Sequence, residues 1–327
     1  MSPIIQGIIT IIVGVGGCVG YFYFANLFLD KVLFPARGEN AGRNINRANQ
    51  IRPWLFLFPA MFALGLYLMY PVVGSFIRSM YDRAGDEFVG AGNYVRLFNN
   101  PDFRQAFFNN ILWALVVPAT TTFMGLLIAQ LTDRLKWGAF AKSLIFMPMA
   151  ISFVGASLIW KFVYAQDPDI GIINAIRVNV FGAEEGIDPL QTAFWNNFLL
   201  MAILIWIQTG FAMVILSAAL RGIPEETIEA AIIDGANPFQ VFFKIKVPQI
   251  MGTIVVVWTT ITILVLKVFD IVYTMTGGNF GTEILPSFMM DFMFRDDGQA
   301  TAVAFVIMLV VLPVMIWNIA QARKEMR

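Results

Sequence analysis

The sequence contains no histidine and only one cysteine, Cys18, among its 327 residues. The absence of histidine removes the commonest general base, the commonest zinc ligand and the usual serine and cysteine triads. A single cysteine cannot form a disulfide within the chain, and its place in an apolar, glycine-rich run is typical of a small buried side chain. The composition therefore disfavours a membrane-embedded enzyme, and neither a catalytic residue nor a metal site is predicted.

Charged residues are also scarce. They make up 13% of the chain and hydrophobic residues 58%, whereas a soluble domain is about a quarter charged. Lys plus Arg and Asp plus Glu each number 22, so the formal net charge is zero. No basic tract is present, so no nucleic-acid partner is predicted. These values are typical of a polytopic membrane protein.

Long apolar runs dominate the chain, and a spanning helix needs about 20 mostly apolar residues. The first run lacks a basic start and is longer than the roughly 7–15 apolar residues of a signal peptide, so we interpret it as a retained anchor. The pattern predicts an all-α polytopic membrane protein with about seven transmembrane helices. The stretches are residues 3–29, 53–77, 107–131, 143–164, 194–220, 249–266 and 299–320.

Lysine and arginine are concentrated in alternate loops, and this distribution predicts the orientation. They fall between the first two stretches, between the third and fourth, and in the tail, and these three regions share one side of the membrane. Because loops rich in Lys and Arg stay in the cytoplasm, the N-terminus is predicted to lie outside and the C-terminus in the cytoplasm. The residues are Lys31, Arg37, Arg43, Arg47, Arg52, Arg134, Lys136, Lys142, Arg323, Lys324 and Arg327.

Apart from Lys161 near the outer end of the fourth stretch, the seven stretches contain no Asp, Glu, Lys or Arg. Proton-coupled carriers commonly relay protons through intramembrane carboxylates, so no such relay is expected here. The sequence also lacks a G-x-x-x-x-G-K-[ST] motif, and indeed any Gly-Lys pair, for binding ATP phosphates. If ATP drives this protein, a partner chain must bind it.

Neutral polar residues occur in the stretches instead. Their commoner use is contact with other helices, and the alternative is contact with an uncharged solute. Gln208 is the best candidate for the second use, because it lies near the middle of the fifth stretch between Trp206 and Phe211. An amide beside aromatic rings is a common way to bind a sugar.

Residues 221–248 form the longest polar interruption in the second half that still has a helical pattern. Pro224 suits the first position of a helix, and the acidic residues after it suit the positive helix N-terminus. Gly235 suits the left-handed residue that ends this helix. Asn237 is then expected to cap a second helix, which Pro248 ends. The sequence therefore predicts two short helices joined by a glycine turn.

The same stretch contains Glu229-Ala230-Ala231, then Gly235 and, after nine residues, Ile245, Lys246, Val247 and Pro248. This spacing resembles the E-A-A-x3-G-x9-I-x-L-P signature of the membrane subunits of binding-protein-dependent ABC importers, with Val247 in place of the usual Leu. Thr276-Gly277-Gly278 resembles a motif of the maltose-type sugar permeases, although Asn279 replaces its Pro. The N-terminal helix is an addition similar to that of alpha-glucoside permeases.

The resemblance implies a six-helix permease core at 53–327, preceded by an anchor and a basic cytoplasmic linker at 1–52. It implies transport of a neutral di- or oligosaccharide, together with a second permease subunit, two ATPase subunits, an extracytoplasmic sugar-binding protein and membrane lipid. ATP and Mg²⁺ would bind to the ATPase subunits, and no cofactor to this chain. The implied ATPase-coupling residues are Glu229, Ala230, Ala231 and Gly235, with Ile228, Ala231 and Ile232 as an apolar stripe. The implied substrate path contains Asn196, Gln208, Phe211, Leu264 and Val265.

Three alternatives remain open from the sequence. The chain could be a self-sufficient channel or carrier driven by the gradient of a neutral solute, or a sensor or assembly subunit that transports nothing. The helix at 225–234 could also rest on lipid headgroups, although its acidic residues would be repelled by an anionic leaflet.

Overall fold

The computed structural model describes residues 3–37, 41–133 and 135–325. The chain divides into two compact units, Met1–Gly74 and Ser75–Arg327. In the described residues the protein is helical, and the prediction of an all-α fold is confirmed. The predicted division into an anchor with linker and a six-helix core stays a prediction.

The first unit contains two long helices. Tyr21 donates a hydrogen bond from its hydroxyl to the backbone oxygen of Leu55 at 2.8 Å, and Arg52 forms an ion pair with Asp30 at 2.6 Å. These contacts join the helices in a region where most other side chains are exposed, as expected of surfaces that face lipid. The helices are α1 (Pro3–Phe28), extended by a π-helical turn (Leu29–Leu33), and α2 (Ala41–Leu64), extended by Gly65–Met69 and by α3 (Tyr70–Arg78), which continues into the second unit.

The second predicted stretch begins earlier than expected. The apolar pattern predicts 53–77, but α2 begins at Ala41 and includes both Pro53 and Pro59. Most of the expected linker is thus the polar first part of a helix, because membrane helices tolerate proline and the residues before Pro53 are compatible with helix. Among the basic residues that predict the orientation, Arg134 and Arg327 and the side chains of Arg323 and Lys324 lie outside the described residues. The orientation stays a prediction.

The second unit contains the remaining helices, which enclose most of the buried side chains. They are α4 (Gly92–Asn99), α5 (Pro101–Thr132), α6 (Gly138–Phe146) with a 3₁₀ turn (Met147–Ala150), α7 (Phe153–Val163), α8 (Ile172–Asn179), a 3₁₀ turn (Pro189–Gln191), α9 (Trp195–Arg221), α10 (Glu225–Ile233), α11 (Pro238–Gln240), a π-helical segment (Val241–Lys246), α12 (Val247–Gln249), α13 (Met251–Val265), α14 (Asp270–Met275), α15 (Leu285–Phe292) and α16 (Asp297–Glu325).

Helices long and apolar enough to cross a membrane number five in the described ranges, or up to seven if each bent pair is one span. The expectation of about seven spans agrees with the larger count. The five are Ile4–Leu33, Ala41–Arg78, Pro101–Thr132, Trp195–Arg221 and Asp297–Gln321, and the bent pairs are Gly138–Ala150 with Phe153–Val163 at 104° and Pro238–Gln249 with Met251–Val265 at 71°.

The fourth predicted stretch, 143–164, is therefore wrong as one continuous helix. The backbone becomes extended at Ile151, and the Ser152 side chain caps α7 by accepting a hydrogen bond from the Gly155 N–H at 3.1 Å. Pro148, which has no N–H to donate, lies in the turn just before the break. A hydropathy window does not detect this break, because apolar residues continue on both sides of it.

Helix α9 is the centre of the second unit and packs against α5. Leu200, Met201, Ile203, Leu204 and Met213 are all fully buried. The crossing needs glycine on α5, since a Cβ on Gly125 would lie 2.5 Å from the Cβ of Ala212. Small residues that let membrane helices approach closely are a usual basis of their association. The helix that leads into the predicted coupling stretch is thus held tightly in the core.

Candidate functional site: the coupling loop and the cleft beside α9

The two-helix prediction for 221–248 is confirmed at its central turn. Gly235 has φ +84°, the left-handed conformation that favours glycine, and it lies between α10 and α11. Pro224 precedes α10 as its N-cap, one position earlier than expected, and Glu225 and Glu226 form the first turn. Negative charge at this end is favoured by the helix dipole. We call residues 221–249 the coupling loop.

The second helix is capped as predicted. The Asn237 side chain accepts a hydrogen bond from the Gln240 N–H at 2.9 Å, and the Gln240 side chain accepts one from the Asn237 N–H at 2.9 Å. Pro248 does not end this helix, which continues to Gln249 before the 71° bend. The wider π-helical segment just before Pro248 accommodates a ring that would otherwise clash with the preceding turn.

The coupling loop exposes apolar side chains. Ile233 is 85% exposed and Phe239 is 74% exposed, and Ile232 and Phe243 are also exposed. The predicted apolar stripe does not share one environment, because Ile228 and Ala231 are half-buried whereas Ile232 is exposed. Ile233 and Phe239 were missed from the sequence, since only the packing decides which side of each helix is covered. Several exposed apolar side chains in one loop are typical of an interaction surface.

Other residues face the body of the protein. A cleft of about 300 Å³ between the loop and α5 is lined by residues that include Gln130, Ile228, Val241 and Lys246. Lys246 donates a hydrogen bond from Nζ to the Gln130 side-chain oxygen at 3.2 Å. The second helix of the loop is thereby joined to α5.

A polar cluster lies where α5 ends and the coupling loop begins. The Asp133 carboxylate accepts hydrogen bonds from Ser217 at 3.1 Å and from two nitrogens of Arg221 at 3.1 Å, and it pairs with Lys142. Burial alone would raise the pKa of Asp133, but the donors from Lys142, Ser217 and Arg221 lower it more, and the net pKa lies below its usual value. This cluster joins α5, α6 and α9 at the entry to the loop.

Among the expected path residues, Gln208 lies beside a cavity. It is mostly buried and lines a cleft of about 460 Å³ together with Ile151, Ser152 and Asp270. The broken backbone between α6 and α7 thus lies at the cleft, as expected in membrane proteins, where irregular backbone is found in buried or cavity-lining positions. The break was missed from the sequence and adds Ser152 to the candidate lining.

The other expected path residues are packed differently. Phe211 and Leu264 are half-buried against the core, and Val265 is buried. Asn196 is fully buried, and its side-chain nitrogen donates to the backbone oxygens of Leu190 and Phe280, each at 2.9 Å. Its amide hydrogens are therefore already used within the chain.

Glu229 and Ala230 are exposed on α10, beside the exposed Gly235. The four expected coupling residues are thus together in the coupling loop, with Ala231 half-buried. Their role in coupling stays a prediction.

Comparison with known proteins agrees with this arrangement. Residues 121–326 match the family model described as "Binding-protein-dependent transport system inner membrane component". The chain is 59% identical, over 99% of both chains, to the Rhizobium meliloti (strain 1021) protein named "Alpha-glucoside transport system permease protein AglF". It is 48% identical, over 83% of this chain and 99% of the other, to the Synechocystis "Osmoprotective compounds uptake permease protein GgtC".

The fold is also known. A chain in a solved bacterial alginate ABC transporter, crystallised with an alginate pentasaccharide-bound periplasmic protein, superposes with a TM-score of 0.72 at 19% identity, over 88% of this chain and 98% of that chain. The two-helix coupling loop, the multi-pass helical fold and the family match lead to one conclusion. The chain belongs to the inner membrane components of binding-protein-dependent transport systems, as a multi-pass permease subunit.

Proposed function

We propose that this permease subunit passes a neutral di- or oligosaccharide, an alpha-glucoside, inward across the plasma membrane. The observation that carries the proposal is the 59% identity to an alpha-glucoside transport permease over 99% of both chains. The membrane stretches support a neutral substrate, because apart from Lys161 they offer no charge to pair with an ionic one. A self-sufficient channel would not need a coupling loop with exposed apolar side chains.

The transport cycle is driven by ATP hydrolysis on partner subunits. The proposed assembly contains a second permease subunit, two ATPase subunits that hold ATP and Mg²⁺, and an extracytoplasmic sugar-binding protein. The exposed Ile233 and Phe239 support docking of an ATPase subunit on the coupling loop. Lys and Arg in alternate loops support an outside N-terminus and a cytoplasmic C-terminus, which would place this loop where ATP is available.

Coupling is assigned to Glu229, Ala230, Ala231 and Gly235. The exposed Glu229 can pair with a basic side chain of the ATPase, and Ala230 leaves room for close approach. Gly235 fixes the angle between the two helices of the loop. Because α9 leads directly into the loop and is buried for most of its length, a displacement of the loop is passed to the core.

The substrate path is assigned to the cleft beside α9. Gln208 offers an amide to sugar hydroxyls in this cleft. Phe211 and Leu264, half-buried against the core, and the buried Val265 are assigned to the path through packing and not through contact with the sugar. Asn196 supports the end of α9 and contributes to the path through that packing.

Uptake of labelled sugars tests the substrate. A strain that lacks this gene should lose uptake of labelled trehalose, sucrose or maltose, regain it with the wild-type gene, and keep uptake of a sugar phosphate. Gln208→Leu should weaken sugar binding about tenfold, which equals about 1.4 kcal/mol and lies within the cost of about 1–3 kcal/mol for a buried polar group left unpaired. Gln191→Leu, at an exposed glutamine, is the matched control. Unchanged uptake of all three disaccharides after deletion would exclude the proposal.

A further inference from the structure

Four buried asparagines occur as two adjacent pairs in the second unit. Asn109 and Asn110 lie on α5, and Asn196 and Asn197 lie in the first turn of α9. All four side chains are at most 4% exposed. A buried amide must find partners, so where these groups form hydrogen bonds identifies what they hold in place.

All four hold the same short segment, residues 280–285, which follows α14 and ends at the first residue of α15. Asn109 donates from its side-chain nitrogen to the backbone oxygens of Gly281 at 2.9 Å and Glu283 at 2.7 Å. Asn110 accepts a hydrogen bond from the backbone N–H of Leu285 at 2.6 Å.

The pair on α9 completes the arrangement. Asn196 donates to the backbone oxygen of Phe280 at 2.9 Å, and Asn197 donates to that of Gly281 at 3.3 Å. Asn197 is itself oriented by Trp113 on α5, whose ring N–H donates to its side-chain oxygen at 3.2 Å. We call these four residues the asparagine clamp.

The clamped segment is not a conformation that the chain adopts easily. Phe280 has φ +57° although it is not glycine, and Gly281 has φ +75°. Such a backbone persists only where surrounding contacts determine it. A Cβ on Gly278, at φ +78°, would lie 2.1 Å from a carboxylate oxygen of Glu283. The asparagine clamp thus holds the segment, and Gly278 leaves room for the Glu283 carboxylate.

The position of the clamp relative to the coupling loop suggests its role. Helix α9 carries two clamp residues in its first turn, and its last residue, Arg221, begins the coupling loop. The 27 residues of α9 form a rod about 40 Å long at 1.5 Å per residue. A displacement at one end is therefore passed to the other.

We propose that the asparagine clamp is the outer end of a mechanical connection that runs along α9 from the coupling loop. Its four residues are positioning residues that make residues 280–285 move together with α5 and α9 when the coupling loop is displaced. The proposal rests on the proposed function, in which the coupling loop meets the ATPase and the segment lies on the extracytoplasmic side.

The test compares buried asparagines whose side-chain nitrogens donate to backbone oxygens. Asn93 and Asn174 are also fully buried, and each donates to two backbone oxygens in the second unit, at Ser79 and Tyr81 and at Ala165 and Ile187, respectively. Neither has a hydrogen bond to residues 280–285 among those described. Asn109→Asp, Asn197→Asp, Asn93→Asp and Asn174→Asp would each remove an amide donor while nearly keeping its shape.

The readout is the amount of sugar moved per ATP hydrolysed by the assembled transporter in vesicles, with hydrogen exchange of residues 276–285 measured on the same samples. Asn109→Asp and Asn197→Asp should lower sugar moved per ATP about tenfold, as expected for loss of a buried polar contact, and speed exchange of the segment. Asn93→Asp and Asn174→Asp should lower stability comparably and leave the ratio unchanged.

Gly278→Ala provides a second way to displace the segment, because it acts through Glu283 and leaves both helices untouched. It should lower the same ratio, and it keeps the test open if an asparagine variant fails to assemble. An unchanged ratio in Gly278→Ala or in either clamp variant, or an equal loss in all four asparagine variants, overturns the proposal. If the wild-type transporter shows no ATP-dependent sugar uptake, it is the proposed function that fails.

Discussion

Gly235 provides the sharpest test of the coupling loop, because the structure separates its backbone role from its size. Its φ of +84° is unfavourable for other residues, yet a Cβ built there meets no atom within 4 Å. An alanine would therefore add no clash, and its cost is that of the left-handed backbone alone, about 1–2 kcal/mol. Asparagine tolerates this conformation much better.

The expected consequence is local. A cost of about 1–2 kcal/mol does not exceed a total stability of about 5–15 kcal/mol, but it lowers the population of the correct turn by a factor of about 5–30. Gly235→Ala should thus leave the protein folded, and the angle between α10 and α11 should no longer be fixed. Uptake should fall several-fold while ATP hydrolysis continues, and Gly235→Asn should retain most of the uptake.

The assay is sugar uptake and ATP hydrolysis measured on the same reconstituted vesicles for wild type, Gly235→Ala and Gly235→Asn. Thermal unfolding in detergent checks that all three chains are folded. If Gly235→Ala transports as well as wild type, the turn does not set coupling. If Gly235→Asn fails as badly as Gly235→Ala, the added side chain matters and the backbone argument is wrong.

Three further predictions concern single side chains. Ile233→Asp should reduce capture of the ATPase subunits about tenfold or more, because it removes the free energy gained by burying one large apolar side chain at the interface. Phe181 is similarly exposed, and Phe181→Asp should leave capture unchanged. Asp133 has a lowered pKa in the folded protein, so its contribution to stability is present above the ordinary carboxyl pKa and is lost as the pH falls toward the lowered one. Asp133→Asn should remove that part of the acid dependence of unfolding. The pKa of Glu283 is raised, first by burial, so its charge costs stability increasingly as the pH rises from the ordinary carboxyl pKa through the raised one. Glu283→Gln should therefore stabilise the protein against heat at neutral pH and leave it unchanged in acid.

Local chemistry in the coupling loop was predictable from the sequence. Gly235 and Asn237 interact mainly with residues only a few positions away, so turn and capping rules identify them without knowledge of the rest of the fold. The presence of several long apolar helices was also predictable, because it depends mainly on composition.

Features that depend on packing were not predictable. The break at Ile151 lies within a continuous apolar run, and a hydropathy average does not detect a bend. Ile233, Phe239 and Ile228 are all large apolar side chains, and only the packing of the core decides that Ile228 is half-buried while the other two are exposed. The resemblance assigns Asn196 to the path because that family lines its path with the helices on either side of the coupling stretch, whereas the hydrogen-bond partner of Asn196, Phe280, is 84 positions away in the chain. No local pattern indicates such a contact.

The measurement that tests the central claim most directly is sugar uptake by vesicles that contain the assembled transporter and its binding protein. Either ATP or ADP is supplied on the side of the membrane where the ATPase subunits bind. If ATP hydrolysis on partner subunits drives transport, sugar should be taken up against its concentration gradient with ATP and should not be taken up with ADP. Equal uptake in both conditions, or the same uptake by vesicles that contain this chain alone, would contradict the account and favour a self-sufficient channel.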